Sequence, residues 1–217
     1  MVEALGILET TGFTPGIVAL DAMDKTAGIR VVQAELNDFL GVVIKVAGTT
    51  SGVQAAMEAG RNVAEQMQGR PIARVIYRPD ARAWAAIESR PEISPLLAQS
   101  TVLLPAAAPA NKTPGTQQKE HPLAETSTAF ALGFLETQGF TAVFEAIDSA
   151  CKAANVEVLA KEKLGGGYIT VVIKGDVAAV KAAVEAGRAR VEGLGKLIAA
   201  HVIARPSPAA LSLLPKL

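Results

Sequence analysis

The chain has 217 residues, of which 50% are hydrophobic and 19% are charged. Its 21 basic and 21 acidic residues balance, so it lacks the basic excess expected of a dedicated nucleic-acid binder. The single cysteine, Cys151, excludes an intrachain disulfide and a metal cage of several cysteines from one chain. Because the composition is this apolar, we expect part of the protein's apolar surface to be buried by association with other chains.

Two further classes of protein are not expected. The N-terminal residues lack a basic region followed by an apolar core, which argues against a secretory signal. The longest uncharged run, from Ile93 to Ala110, contains three prolines and several polar residues, so it is not typical of a membrane helix. One cysteine in 217 residues also fits a reducing compartment. We therefore expect a cytoplasmic protein that does not enter a membrane.

A repeat organises the chain. The stretch ALGILETTGFT that begins at Ala4 returns as ALGFLETQGFT at Ala131, 127 residues further on. At the same offset, EAGR at Glu58 returns at Glu185. Matches that share one offset without a gap indicate that one domain has been duplicated. We predict a first domain over residues 1–100, a linker over 101–124 and a second domain over 125–217.

The first copy is predicted as strand, helix, strand, strand, helix and strand, with a short helix after them. Apolar residues at helical spacing mark the two long helices, and glycines end both. Thr14 is expected to cap the first helix, with Pro15 in its first turn. The predicted strands are 3–9, 29–36, 42–46 and 72–78, and the predicted helices are 14–28, 49–68 and 81–87.

The second copy repeats this order. A stretch from Pro105 to Pro122 has no periodicity and is rich in small and polar residues, which predicts an interdomain linker. The element order predicts an α+β fold of two tandem ferredoxin-like (split β-α-β) domains, with antiparallel-rich sheets and helices on one face. The predicted strands are 127–136, 156–163, 168–174 and 196–205, and the predicted helices are 141–154, 177–192 and 207–214.

The hairpin of the second copy carries a resemblance to a known family. The stretch KLGGGYITVVIKGDVAAVKAA that begins at Lys163 resembles the pore-loop and second-helix signature of bacterial microcompartment shell proteins. The opening LGFLET and the closing IARP resemble the two ends of the same domain. Two fused copies that both begin with this strand are similar to the tandem-domain, trimer-forming subclass in its non-permuted order.

This resemblance implies a structural role in a shell. Tandem members form homotrimers that imitate hexamers and tile with other shell proteins, both hexamers and vertex pentamers, around encapsulated enzymes. A central pore on the symmetry axis is thought to pass metabolites. The implied location is the microcompartment shell in the bacterial cytoplasm, with no cofactor, no metal, no nucleic-acid partner and no membrane.

The two hairpin loops are the candidate pore rim. The triple glycine from Gly165 fits a tight turn with positive φ, and it also fits a rim that offers backbone N–H groups to polar solutes. Phe39 occupies the equivalent place in the first loop, where it would either pack against another chain or narrow the opening. Neither loop has the cysteine with which some tandem relatives hold an iron–sulfur cluster. The candidate pore residues are Asn37, Asp38, Phe39, Leu40, Leu164, Gly165, Gly166 and Gly167.

Two lysines at equivalent places are the candidate assembly edge. Lys25 and Lys152 lie near the ends of the first helix of each copy, where a lysine is favoured by the helix dipole. The resemblance implies instead that they contact neighbouring assemblies, together with an Arg-Pro pair. The candidate edge residues are Lys25, Lys152, Arg78, Pro79, Arg205 and Pro206.

No catalytic constellation is visible in the sequence. His121 is predicted in the linker and His201 in a strand, so no histidine pair has metal-ligand spacing. Glu9 and Glu136 are isolated residues near strand ends. We therefore do not expect an enzyme. Two alternatives stay open, namely a ferredoxin-like regulatory protein that binds a small molecule between subunits, and an enzyme of unidentified type.

Overall fold

The structure is a computed structural model that describes residues 3–37, 40–97, 99–105 and 130–215. These residues form two large sheets with helices packed against them and a small two-stranded sheet, which confirms the expected α+β class. The strands are β1 (Ala4–Thr11), β2 (Arg30–Asn37), β3 (Gly41–Gly48), β4 (Ile72–Ile76), β5 (Ile93–Ser94), β6 (Gln99–Ser100), β7 (Val102–Leu103), β8 (Ala131–Gln138), β9 (Glu157–Gly165), β10 (Tyr168–Gly175) and β11 (Lys196–Ile203). The helices are α1 (Phe13–Thr26), α2 (Thr50–Gln66), α3 (Trp84–Ile87), α4 (Phe140–Ala153), α5 (Val177–Arg188) and α6 (Pro208–Ser212).

The sheets show the duplication directly. The first has the order β4-β1-β3-β2-β7 and the second β11-β8-β10-β9, with every neighbouring pair antiparallel. Helices α1 and α2 pack on the first sheet and α4 and α5 on the second. The two four-strand orders correspond, as the ferredoxin-like prediction requires. The extra strand β7 pairs Val102 with Glu35 and Leu103 with Ala34, so the first sheet reaches three residues past the predicted domain end at 100.

Each opening motif contains a glycine because a helix lies directly on it. A Cβ on Gly6 would come 2.7 Å from the Met57 sulfur of α2, and a Cβ on Gly133 would come 2.7 Å from Val184 of α5. Both distances are too short for any larger residue to fit unless the side chain or the helix that carries it shifts. The repeated Leu-Gly pair therefore sets the distance between helix and sheet in both domains.

Two sequence predictions about helix ends were wrong. Thr14 does not cap α1, because the helix begins at Phe13 and its N-cap is Gly12, with a φ of 87° and no capping side chain. Helix α5 ends at Arg188 and not at residue 192. A tight turn, in which Arg190 N donates to Gly187 O, replaces its last predicted turn. The predicted start of the second domain's first strand, at 127, lies outside the described residues.

In the described part of the chain, no helix is both long enough and apolar enough to cross a membrane. Of the predicted linker over 101–124, residues 106–124 lie outside the described residues, and residues 101–105 include β7.

Candidate functional site

The two domains meet along a contact that we call the internal seam. Helix α1 of the first domain lies against β8, β11 and α6 of the second. Phe13 and Ile17 of α1 are fully buried there, in one apolar cluster with Phe134 and Ile203 of the second domain. A helix of one domain therefore completes its core on the sheet of the other.

Three carboxylates accept hydrogen bonds across the internal seam, namely Glu136, Asp21 and Asp24, the last from Ala209 N at 3.1 Å. The Glu136 carboxylate accepts hydrogen bonds from Phe13 N and Thr14 N, both at 2.9 Å, so it satisfies the free N–H groups at the start of α1. Burial raises the pKa of Glu136, while these two backbone hydrogen bonds act in the opposite direction. Asp21 accepts from Ser207 N at 2.7 Å. Sequence reasoning missed this role, because the partners lie more than 120 residues apart.

The counterpart of α1 in the second domain has no such cover. Phe140 and Phe144 of α4 stand where α1 has Phe13 and Ile17, yet they are 46% and 50% exposed. Their rings are 6.2 Å apart and form one apolar patch. Asp148, one turn further along α4, is exposed as well. We call these three residues of α4 the α4 face.

The counterpart of β11 in the first domain is also open. Ile72 and Ile76 of β4 are 68% and 37% exposed, whereas Ala199 and Ile203, at the same places in β11, are 8% and 4% exposed. Arg74 lies between the two isoleucines and is exposed too. We call Ile72, Arg74 and Ile76 the β4 face. Each half of the internal seam thus has an uncovered duplicate elsewhere on the chain.

The two candidate pore loops lie side by side. A Cβ on Gly166 would come 2.7 Å from Leu40 Cδ2. The loops are anchored alike, since Gly12 N donates to Leu40 O at 2.7 Å and Gly139 N donates to Gly167 O at 2.9 Å. Hairpins from both domains are therefore brought to one place in the chain.

The other candidate pore residues differ in their surroundings. Asn37 donates to Glu9 at 2.8 Å and accepts from Gly41 N at 2.9 Å, which ties the first loop to β1. Leu164 is buried, so its side chain is not part of an open rim in the single chain. The glycines at 165–167 all have positive φ, as the tight turn requires. Asp38 and Phe39 lie outside the described residues.

The candidate edge lysines both form ion pairs with an aspartate four residues earlier. Lys25 pairs with Asp21 at 2.5 Å and has 47% of its side chain exposed. Lys152 pairs with Asp148 at 2.5 Å and has 75% exposed. Because Asp21 also binds Ser207 N, the structure brings Lys25 close to the second Arg-Pro pair. Arg78 and Arg205 are exposed, and Pro79 and Pro206 are half-buried.

Titratable groups outside these surfaces do not form a metal-binding cluster in the described part of the chain. Within the described ranges, no set of three or more His, Cys, Asp or Glu residues could hold a metal ion. Burial lowers the pKa of His201 in β11, and the charge of Asp21 across the internal seam acts in the opposite direction. Cys151 is exposed on α4, and His121 lies outside the described residues.

Comparisons with known proteins match each repeat separately. A family model of the BMC domain matches residues 4–79 and again 131–206. Bacterial microcompartment shell protein PduA of Citrobacter freundii is 49% identical over 86 residues, which are 40% of this chain and 92% of that protein. Bacterial microcompartment shell protein EutM of Escherichia coli K12 is 47% identical over 76 residues, 35% of this chain and 78% of that protein.

Two further similar proteins differ in how much of this chain they cover. Carboxysome shell protein CsoS1 of Prochlorococcus marinus is 46% identical over 85 residues, 39% of this chain and 82% of that protein. A solved structure of a microcompartment protein from Desulfitobacterium hafniense DCB covers 95% of this chain and 97% of its own, at 24% identity and a TM-score of 0.37. That last similarity is too distant to carry an argument, whereas the curated relatives each correspond to about one domain of this chain.

Proposed function

The chain belongs to the BMC-domain family, whose curated relatives are microcompartment shell proteins, and we propose that it is a structural shell protein of a bacterial microcompartment. Three copies form a ring of six domains that takes the place of a hexamer in a shell facet. The ring works by assembly and passage of solutes and not by catalysis. The observation that carries this proposal is the uncovered duplicate of the internal seam.

The two open faces fit one another as the halves of the internal seam do. The α4 face offers two phenylalanines and the β4 face two isoleucines, so their contact would bury apolar surface on both sides. Arg74 stands where His201 faces Asp21, so in the same geometry it meets Asp148 of the next copy. Glu9 likewise stands where Glu136 caps α1, and it would cap α4 of that copy. Apolar and charged groups are thus complementary.

Such a contact joins different surfaces of two copies, so it is heterologous and either closes into a ring or continues as a fibre. Closure after three chains satisfies every seam and gives six domains in the ring. The adjacent loops at Leu40 and Gly166 support this closure, because they place hairpins of both domains together. We infer that these loops surround the central opening through which metabolites pass.

The proposed partners follow from the ring. The edge residues Lys25 and Lys152, with the two Arg-Pro pairs, contact neighbouring shell hexamers, and vertex pentamers close the shell. Encapsulated enzymes lie on one side of the facet. The location is therefore the microcompartment shell in the bacterial cytoplasm.

Two measurements on the full chain test this function. Sedimentation velocity is expected to give a trimer at micromolar concentration, and a monomer that persists at every concentration would contradict the ring. Electron microscopy of concentrated protein is expected to show sheets or tubes. Discrete trimers that never tile, in combination with a bound small molecule, would favour the regulatory alternative.

A further inference from the structure

A segment that the duplication does not repeat joins the two domains on one side. This strap comprises residues 88–105 apart from residue 98, and it contains the short strands β5, β6 and β7. It is fixed to the first domain, since β7 pairs with β2 and Leu36 N donates to Thr101 O at 2.8 Å. It touches the second domain through Gln99, whose Nε2 donates to Lys163 O at 2.6 Å and also to Glu162. The strap is therefore fixed to the first domain at both ends, through Ser89 and β7, and it contacts β9 through Gln99 and Leu97.

Glu162 has lost the partners that its counterpart keeps. In the first domain Glu35 stands at the equivalent position, and it pairs with Lys45 and accepts from Ser89 Oγ at 2.7 Å. In the second domain Val172 replaces this lysine. A buried carboxylate that loses its cation keeps the cost of desolvation without the compensating attraction.

No ion pair replaces the lost one at Glu162 in the described ranges, although the charge of the neighbouring Lys163 still acts on the carboxylate. Glu162 is 2% exposed, and among the described residues it accepts hydrogen bonds from the Gln99 amide and from Lys163 N, at 3.1 Å for the latter. In the described ranges no cation lies within ion-pair distance of it, because the Lys163 ammonium donates to Leu97 O instead. Around Glu162, the strap, β10 and the C-terminal segment 212–215 contribute neutral residues, and the other nearby charge is Lys161 of β9.

We propose that Glu162 in its protonated form latches the strap onto the second domain, and that the strap opens as the pH rises towards neutrality. A neutral carboxyl still accepts the Gln99 N–H through its carbonyl oxygen, and it avoids the cost of a buried charge. An ionised carboxylate regains its hydration only when Gln99 moves away. A cavity of about 500 Å³, lined in part by Gln99, Ser100 and Leu214, adjoins this contact and gives water a route to it.

The direction of the pH effect follows from the proton affinities of the two states. Burial raises the pKa of Glu162 to about 7 in the latched strap, with the hydrogen bonds of Lys163 and Gln99 acting against it. In the open strap the carboxyl is hydrated and has its ordinary value of 4.5. The protonated carboxyl therefore stabilises the latched strap fully below pH 4.5, the ordinary pKa of the group. This stabilisation declines as the pH rises and is gone above about pH 7. Between these values the ratio of open to latched strap rises about tenfold per pH unit.

The strap also lies beside the candidate pore rim, where Leu97 is close to Gly165. Leu97 of the strap lies 3.9 Å from the position that a Cβ on Gly165 would occupy, and its carbonyl accepts from Lys163 Nζ at 3.2 Å. Release of the strap therefore frees one side of the second hairpin loop. The consequence for passage through a pore rests on the proposed function, whereas the latch itself is a property of the single chain.

Hydrogen exchange of the full chain between pH 5 and pH 8 tests the latch. Exchange of peptides that cover 92–104, after correction for the intrinsic rate, reports the fraction of open strap. We expect opening to rise about tenfold per pH unit from 5 to 7 and then to level off. Glu162→Gln, which cannot ionise, is expected to remove this slope. Glu157→Gln, on the same strand but exposed, is the matched control and is expected to keep it.

A reciprocal variant restores the lost cation. Val172→Lys recreates the lysine that Glu35 has and is expected to move the slope to lower pH, because the paired carboxylate ionises sooner. If that variant fails to fold, the Glu162→Gln and Glu157→Gln pair still decides the matter. A flat wild-type profile, or an equal slope in Glu162→Gln, would overturn the latch. Sedimentation at the same pH values keeps this outcome separate from a failure of the trimer.

Discussion

Phe144→Ala is expected to separate assembly from folding. About half of the Phe144 surface is exposed in the single chain, which is roughly 100 Å² of the ~200 Å² that a phenylalanine can bury. Loss of this contact area at about 25 cal/mol per Å² removes ~2.5 kcal/mol from each seam between copies, or about 60-fold in its equilibrium constant. A closed ring of three such seams loses ~7.5 kcal/mol, which raises the trimer dissociation constant about 10⁵-fold.

The assay is sedimentation velocity over a range of concentrations, combined with thermal melting of the same samples. Ile17→Ala is the matched control, because Ile17 holds the equivalent position inside the internal seam and is fully buried. This control is expected to lower the folding free energy by about 2–5 kcal/mol and to leave the stoichiometry unchanged. At concentrations where Phe144→Ala and the wild-type chain are both monomeric, the two are expected to have the same melting temperature. A Phe144→Ala protein that dissociates no more readily than the wild type would refute the intersubunit seam.

Three further outcomes are expected. Arg74→Glu places a negative charge opposite Asp148 of the next copy, so sedimentation should show a weaker trimer, and the added substitution Asp148→Lys should restore it. The double substitution of Lys25 and Lys152 by alanine should abolish sheets in electron microscopy while trimer and melting temperature stay nearly unchanged, since both lysines reach solvent and the buried Asp21 keeps its hydrogen bond from Ser207 N; a variant that tiles like its parent would speak against the edge. Phe39→Ala should widen the pore in a structure of the trimer with little loss of stability, because a rim side chain buries little area; a Phe39 packed in a domain core would remove the pore role.

The fold was predictable because the duplication and the period of the apolar residues are local features of the sequence. The Leu-Gly pair at Gly6 and Gly133 marked the first strand of each domain, and the triple glycine marked a hairpin. Each of these signals depends on neighbours within one element or one turn. The observed order β4-β1-β3-β2 and its duplicate agree with the predicted ferredoxin-like fold.

Partners that lie far apart in the sequence were not predictable in this way. Glu9 and Glu136 occupy equivalent positions in nearly identical motifs, yet only Glu136 caps a helix within the chain. At the start of α1 the sequence misled in the opposite direction. Thr14 is a residue type that often caps helices, but the N–H donors of that turn are satisfied by Glu136. Only the packing of one domain on the other distinguishes these cases. The strands of the strap are two residues each, too short for any period to show.

The differences between the two copies along the seams have a common physical cause. The internal seam forms within one chain as it folds, so its residues need not be soluble when exposed. Ala199 and the half-buried His201 are suited to such a contact. In the proposed ring, the duplicate surface stays in water until another copy arrives. There Ile72 would supply more apolar area to be buried on assembly, and the exposed Arg74 would attract Asp148 of the next copy. On this proposal, divergence after duplication follows whether a seam closes within one chain or between chains.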